Sequence, residues 1–108
     1  MSEYVDHVIE VLAAFGPVSA RRMFGGYGLY HDGLMFALVA DDVLYLKADR
    51  QSLPFFAERD LPPFEYEKNG KRSKMSYHLA PESLFDDPQQ AKEWAVRAYE
   101  AALRAKKK

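Results

Sequence analysis

The densest group of residues able to do chemistry is RRMFGGYGLY at 21–30, where two guanidinium groups precede three glycines set among apolar and aromatic side chains. A phosphate cradle is the first possibility, because glycine-rich turns let successive backbone N–H groups converge on an anion, usually at a helix N-terminus. Here the glycines lead into an extended stretch and a hairpin turn. The position that a dinucleotide fingerprint reserves for glycine after Gly26 and Gly28 holds His31, and no Walker lysine follows. Glycine in a strand serves a steric purpose instead, permitting a bulge or a close approach by another segment. Gly25-Gly26 is therefore read as a sharp bend in one long strand, and Gly28 as clearance for a helix or an aromatic ring. Arg21 and Arg22 then point to opposite faces. Either could grip a partner's carboxylate or phosphate, or be absorbed by an acid of the chain itself.

The remaining polar groups offer little catalysis. KNGKRSK places Lys68, Lys71, Arg72 and Lys74 at a basic hairpin tip able to touch phosphates, although Glu65 and Glu67 offset two of these charges. His7, His31 and His78 fall on a helix, at a turn and in a strand, none at the spacing of metal ligands. Ser76 and His78 share a strand face, but no acid is placed to orient the histidine, so no triad is read. Asp41-Asp42 and Asp86-Asp87 read as a turn and a helix cap. The expectation is no catalytic, cofactor or metal residue. Partner-binding candidates are Arg21, Arg22, Tyr30, Lys71, Arg72 and Lys74. Tyr27, Tyr30, Tyr45, Tyr66 and Tyr77 are a further surplus, and a subset exposed on one sheet face would form a protein-binding surface.

The 108 residues suit one domain, and 48% apolar content is enough to close one core. A net charge of −1 gives the whole chain no pull toward nucleic acid or a membrane surface, so any such attraction must be local. Absent cysteine excludes disulfides and thiolate chemistry. The acidic, amphipathic start MSEYVDHVIE is unlike a secretory signal, and the apolar runs are too short to span a bilayer. A cytoplasmic domain is expected.

The elements that must hold these residues follow from periodicity. Val5, Val8, Ile9, Leu12 and Phe15 form an apolar stripe, predicting a helix over 3–15 capped by Ser2 and stopped by Gly16-Pro17. A strand over 20–31 turns at Asp32-Gly33 into the doubly apolar LMFALVA, expected at the sheet centre. With His31 opposite Leu34, partner numbers sum to 65. Asp41-Asp42 turns the chain into VLYLKA, and residues 49–60 read as a short helix capped by Asp49 or Ser52. Asn69-Gly70 closes the second hairpin of FEYEKNGKRSKMSYHL. With Lys68 opposite Lys71, Glu67 meets Arg72, Glu65 meets Lys74 and Phe64 meets Met75. Asp87, Pro88 and Gln90 open a final helix as a capping box. Its Ala91, Trp94, Ala95, Ala98 and Ala102 lie on one side, with Glu93–Arg97 and Glu100–Arg104 paired on the wet side. The class is α+β, one antiparallel sheet with helices on at least one face.

RRMFGGYGLYHDGLMFALVADDVLYLKAD at 21–49, continued by PFEYEKNGKRSKMSYHLAPE at 63–82, resembles the N-terminal domain of the TfoX, or Sxy, family. Arg22, Met23, Phe24, Gly25, Gly26, Gly28, Tyr30, Gly33, Phe36, Tyr45, Lys47, Phe64, Met75 and Tyr77 stand where that pattern expects them. The resemblance implies a two-layer α-β-β-β-α-β-β-α domain with a five-stranded sheet, similar to secretion-chaperone-like domains. It also implies bacterial origin and a non-enzymatic, protein-binding role in regulating competence-gene transcription, beside a transcription factor of the cyclic-AMP receptor type. Full-length members carry a second, helical domain. This sequence ends about where that domain would begin, so residues 1–108 are read as a single TfoX N-terminal-like domain. The alternatives are a nucleic-acid-binding module using the basic hairpin, or a stand-alone domain of unrelated function.

Overall fold

Ser2 starts the first helix by accepting the Val5 N–H at 3.1 Å, in a computed structural model that describes residues 2–23 and 25–107. Phe24 of the family-like signature, Met1, Lys108 and the Lys68 side chain lie outside the described structure. Helix α1 (Glu3–Val11) turns Val5 and Val8 inward. It is shorter than the expected 3–15. The Ala13 N–H donates to the Glu10 carbonyl at 3.1 Å and the Phe15 N–H to Leu12 at 2.9 Å, tightened bonds that unwind the end of a helix. Leu12 and Phe15 still reach the core.

The extended stretch expected over 20–31 is two strands. β1 (Ser19–Met23) and β2 (Gly26–His31) pair antiparallel with Met23 opposite Gly26. Gly25 takes φ +77°, a left-handed conformation open to glycine at little cost, so the chain reverses where a bend was expected. Gly26 is also required for packing. A Cβ there would stand 2.2 Å from the Val39 carbonyl oxygen. With β3 (Leu34–Ala40), β4 (Val43–Lys47), β5 (Pro63–Lys68) and β6 (Lys71–Leu79), the sheet has six strands among the described residues, not five. Their order is β1-β2-β3-β4-β6-β5 and every pairing is antiparallel, with LMFALVA in an interior strand as expected.

Two registers depart from expectation. The sum of 65 holds for His31↔Leu34 and Tyr30↔Met35, after which a bulge shifts the pairs to Leu29↔Ala37, Gly28↔Leu38 and Tyr27↔Val39. The bulge lets the neighbours Phe36 and Ala37 both join the helix-side core, Phe36 with its ring 5.3 Å from Phe15 and 6.3 Å from Tyr99. In the second hairpin the pairs Glu65↔Lys74 through Lys68↔Lys71 are as expected. Beyond them an irregularity sets Pro63 opposite His78, so Phe64 leaves Met75 and packs on Tyr45 at 4.9 Å. The ion pair that forms here runs diagonally, Arg72 to Glu65 at 3.9 Å. The three short hairpin turns Asp32-Gly33, Asp41-Asp42 and Asn69-Gly70, read from the sequence, have positive φ at both central residues.

Helix α2 (Leu53–Glu58) and a 3-10 turn (Glu82–Phe85) lead to α3 (Pro88–Lys106). Asp87 caps α3 by accepting from the Gln89 and Gln90 N–H groups at 2.9 and 3.4 Å. The reciprocal half of the capping box does not form, since Gln90 Oε1 is buried without a partner among the described residues. Ala91, Trp94, Ala95, Ala98 and Ala102 are buried as expected, and their small side chains let α3 lie close over β3 and β4. The expected Glu–Arg pairs on its outer side do not close to ion-pair distance, and Glu93 and Glu100 act on the arginines only at longer range. Arg97 lies 3.8 Å over the Phe55 ring and Arg104 reaches Asp49.

All three helices share one core cluster with Leu29, Ala37, Val39, Leu44 and Leu46. Alternation along the strands sends Gly28, Leu38, Tyr45, Lys47 and Tyr77 to the other face, which no helix covers among the described residues. Gly26→Ala is expected to cost on the order of 2–3 kcal/mol through overpacking, against about 1 kcal/mol for Gly25→Ala, whose Cβ meets open space and strains only φ. Urea unfolding followed by Trp94 fluorescence will rank them. Equal losses would remove Val39 as the constraint.

Candidate functional site

β1 is an edge strand, which places both arginines of the opening motif at the rim of the sheet. Arg21 stands opposite Gly28 on the helix-free side, its guanidinium 4.8 Å from the centre of the Tyr30 ring. Arg22 stands opposite Tyr27, whose side chain packs on the helix-side core, so the pair does face opposite ways. Both are exposed, and neither meets a carboxylate among the described residues. Over Gly28 lie two thioethers rather than a helix or a ring. A Cβ there would meet the Met23 sulfur at 2.7 Å and the Met35 sulfur at 3.1 Å.

The helix-free face continues from Tyr30 across the sheet. Tyr77 is only 6% exposed, and burial, with Tyr30 close by, pushes its phenol up to about 12. The Lys47 ammonium lies 5.2 Å from the Tyr77 ring centre and donates to Ser76 Oγ at 2.6 Å. Burial pulls the Lys47 pKa below its usual value, against the attraction of Asp49. Tyr45 meets Phe64 edge-on at 4.9 Å, and Phe64 stacks with Tyr66 at 6.3 Å and 16° between planes. Tyr66 is 38% exposed. Four of the five surplus tyrosines therefore share this face, and Tyr27 is turned to the helices. Their period-2 placement was visible in sequence, but the face they shared became clear only from the pairing of β4 with β6.

Lys71, Arg72 and Lys74 are exposed near the tip of the second hairpin. β6 lies four strands from β1, about 19 Å at the usual strand spacing. The fold brings Arg21 and Tyr30 together but leaves the basic tip on the far side of the sheet.

The three histidines are held by packing and carbonyl contacts. His78 Nδ1 is 2.9 Å from the Leu61 carbonyl, with its ring against Phe56. His31 Nδ1 is 2.7 Å from the Pro17 carbonyl, between Phe15 and Tyr99, and Nε2 is 3.4 Å from Asp32. His7 stacks on Phe85. Ser76 and His78 thus serve different partners, and among the described residues no cluster of three or more potential metal ligands exists. Among those residues, too, no helix is long and apolar enough to cross a membrane.

Residues 10–102 match the TfoX N-terminal domain family. The chain belongs to the TfoX N-terminal domain family. It is 32% identical over 97 residues to Protein Sxy of Escherichia coli strain K12, covering 90% of this chain and 46% of that protein. It is 29% identical over 77 residues to DNA transformation protein TfoX1 of Aliivibrio fischeri strain ATCC 700601 / ES114, covering 71% of this chain and 37% of that protein. The chain spans less than half the length of either relative.

This TfoX N-terminal domain also contains a polar junction that sequence spacing concealed. Asp49 accepts two bonds from Arg104, at 2.5 Å from Nε and 3.0 Å from Nη2. Its Oδ1 also takes the Ser52 N–H at 3.0 Å, and Ser52 Oγ takes the Asp49 N–H at 2.9 Å. Ser52 is therefore held in a reciprocal bond with Asp49 ahead of α2, and α3 is tied to the end of β4. The Arg104 hydrogen bond holds the Asp49 carboxyl down to about 2. Because the folded pKa is depressed, this stabilisation is present above the unfolded carboxylate pKa of about 4 and is lost as pH falls toward 2. After allowance for solvent at this partly exposed pair, the loss is on the order of 1–2 kcal/mol. Asp49→Asn is expected to be less stable at neutral pH and to lack this part of the acid dependence, read from urea midpoints between pH 5 and 2.

Proposed function

We propose that this chain is a non-enzymatic regulatory domain that holds a protein partner against the helix-free face of its sheet. The single observation that carries the reading is the concentration of Tyr30, Tyr45, Phe64, Tyr66 and Tyr77 on that face, with the cations Arg21 and Lys47 set over two of the rings. Tyrosine and arginine are the residues most able to anchor a protein interface, since each combines a large apolar area with a directional polar group. The Met23 and Met35 thioethers over Gly28 add a compliant apolar floor.

The name of one relative, DNA transformation protein TfoX1, supports a setting connected with DNA transformation. The reading includes a cytoplasmic location and a transcription factor of the cyclic-AMP receptor type as the partner. Titration calorimetry of that factor against this chain is the direct measurement. Tyr66→Ala is expected to weaken binding by roughly tenfold or more, the size of an interface anchor. Val96→Ala, on the outer side of α3, is expected to leave it unchanged. Equal affinities for the two variants would remove the sheet face as the contact.

A second reading draws on the exposed Lys71, Arg72 and Lys74 of the hairpin tip, which suit nucleic-acid phosphates. Gel shifts at two salt concentrations test it, because phosphate contacts weaken steeply as salt rises. No retardation at low salt would eliminate it.

A further inference from the structure

We propose that the outer edge of β1 is a docking strand for an extended acidic segment of another protein, which would extend the six-stranded sheet and set adjacent carboxylates on Arg21 and Arg22. The proposal shares Arg21 with the partner surface above. It rests on different observations, the edge backbone and the unpaired arginines, so either reading can fail alone.

In an antiparallel pair, alternate residues of an edge strand direct their N–H and C=O groups away from the sheet. Among the described residues, β1 has β2 on one side and no strand on the other. Its five residues give about 17 Å of pairing length. Proline often blunts such an edge, and β5, the opposite edge, begins with Pro63. β1 contains no proline. It carries instead two neighbouring arginines that meet no carboxylate among the described residues, in a chain with 16 acidic residues. Arg21 is already braced on the Tyr30 ring, so less side-chain freedom is lost when it engages an anion.

The chemistry of the occupant follows from the alternation. Arg21 lies on the helix-free side and Arg22 on the helix side, so one added strand meets both only with acids at consecutive positions. A second copy fits poorly. β1 against β1 brings arginines toward arginines, which is repulsive. The β5 edge of another copy offers Glu65 and Glu67, which share one face and would reach only one arginine. Backbone pairing along the edge is also of no use to a phosphodiester chain, which lacks amide partners. A foreign extended acidic polypeptide satisfies both the backbone and the guanidinium groups.

The test uses the whole chain and a fluorescent peptide of about ten residues centred on Val-Asp-Glu-Val, a length sufficient to cover the edge. Saturable binding by anisotropy, with slowed amide hydrogen exchange confined to residues 19–23, is expected. The R21E/R22E double variant and a peptide N-methylated at alternate amides should each bind about tenfold more weakly or worse. Tyr66→Ala should leave peptide binding unchanged while weakening the partner contact proposed above. Undiminished binding of the N-methylated peptide would overturn strand addition, leaving only charge attraction. Tighter, arginine-dependent binding of a single-stranded oligonucleotide would overturn the acidic polypeptide. Concentration-dependent self-association by sedimentation that disappears in R21E/R22E would assign the edge to a second copy and equally overturn the proposal.

Discussion

The absence of a side chain at position 26 governs the edge of this domain. The backbone there lies so close to β3 that even a methyl group would penetrate the Val39 carbonyl oxygen, at 2.2 Å. That approach lets β2 start directly after a tight turn, with β1 folded back along it. The turn depends on Gly25 at positive φ. Without this pair of glycines, Arg21 and Arg22 would not stand side by side on an unpaired edge. The motif that first suggested an anion cradle is thus steric in purpose, and its arginines acquire their positions from it.

A second division follows from covering only one face of the sheet. The alanine-lined side of α3 lies over β3 and β4, and the Asp49–Arg104 junction ties its C-terminal half to the end of β4. One half of the alternating strand residues therefore becomes ordinary core. The other half is left to shield itself. Leu38 and Tyr77 are buried with no helix over them among the described residues, the Lys47 ammonium lying over the Tyr77 ring. This is why the tyrosine surplus gathers on one side and why Lys47 and Arg21 sit over rings.

The sequence–structure differences share a cause. Local signals fixed the starts of α1 and α3, three of the turns and the register beside Asn69-Gly70, because each involves residues only a few positions apart. Helix α2, by contrast, starts at Leu53 instead of residue 49, with no capping bond from the Ser52 side chain. Ser2 and Asp87 cap as read, and the Glu65–Lys68 ladder forms as read. The departures occur where a distant segment competes for the same group. Arg104 leaves Glu100 for Asp49, 55 residues away in sequence, because the bidentate contact is partly buried and a solvated helical pair gains little. Phe36 escapes its expected register because the helix-side core accepts two successive side chains at the bulge.

By itself, the sequence determined an α+β class, three of the hairpin turns, the inward face of the last helix and membership in a recognisable family, all of which rest on short-range stereochemistry and residue pattern. Only the tertiary structure decided that 20–31 is two strands, that four tyrosines share an uncovered face, and that the arginine edge and the basic hairpin tip stand far apart. Those outcomes depend on strand order and on which sheet face the helices occupy. Both are set by the simultaneous packing of segments that the chain keeps far apart in sequence.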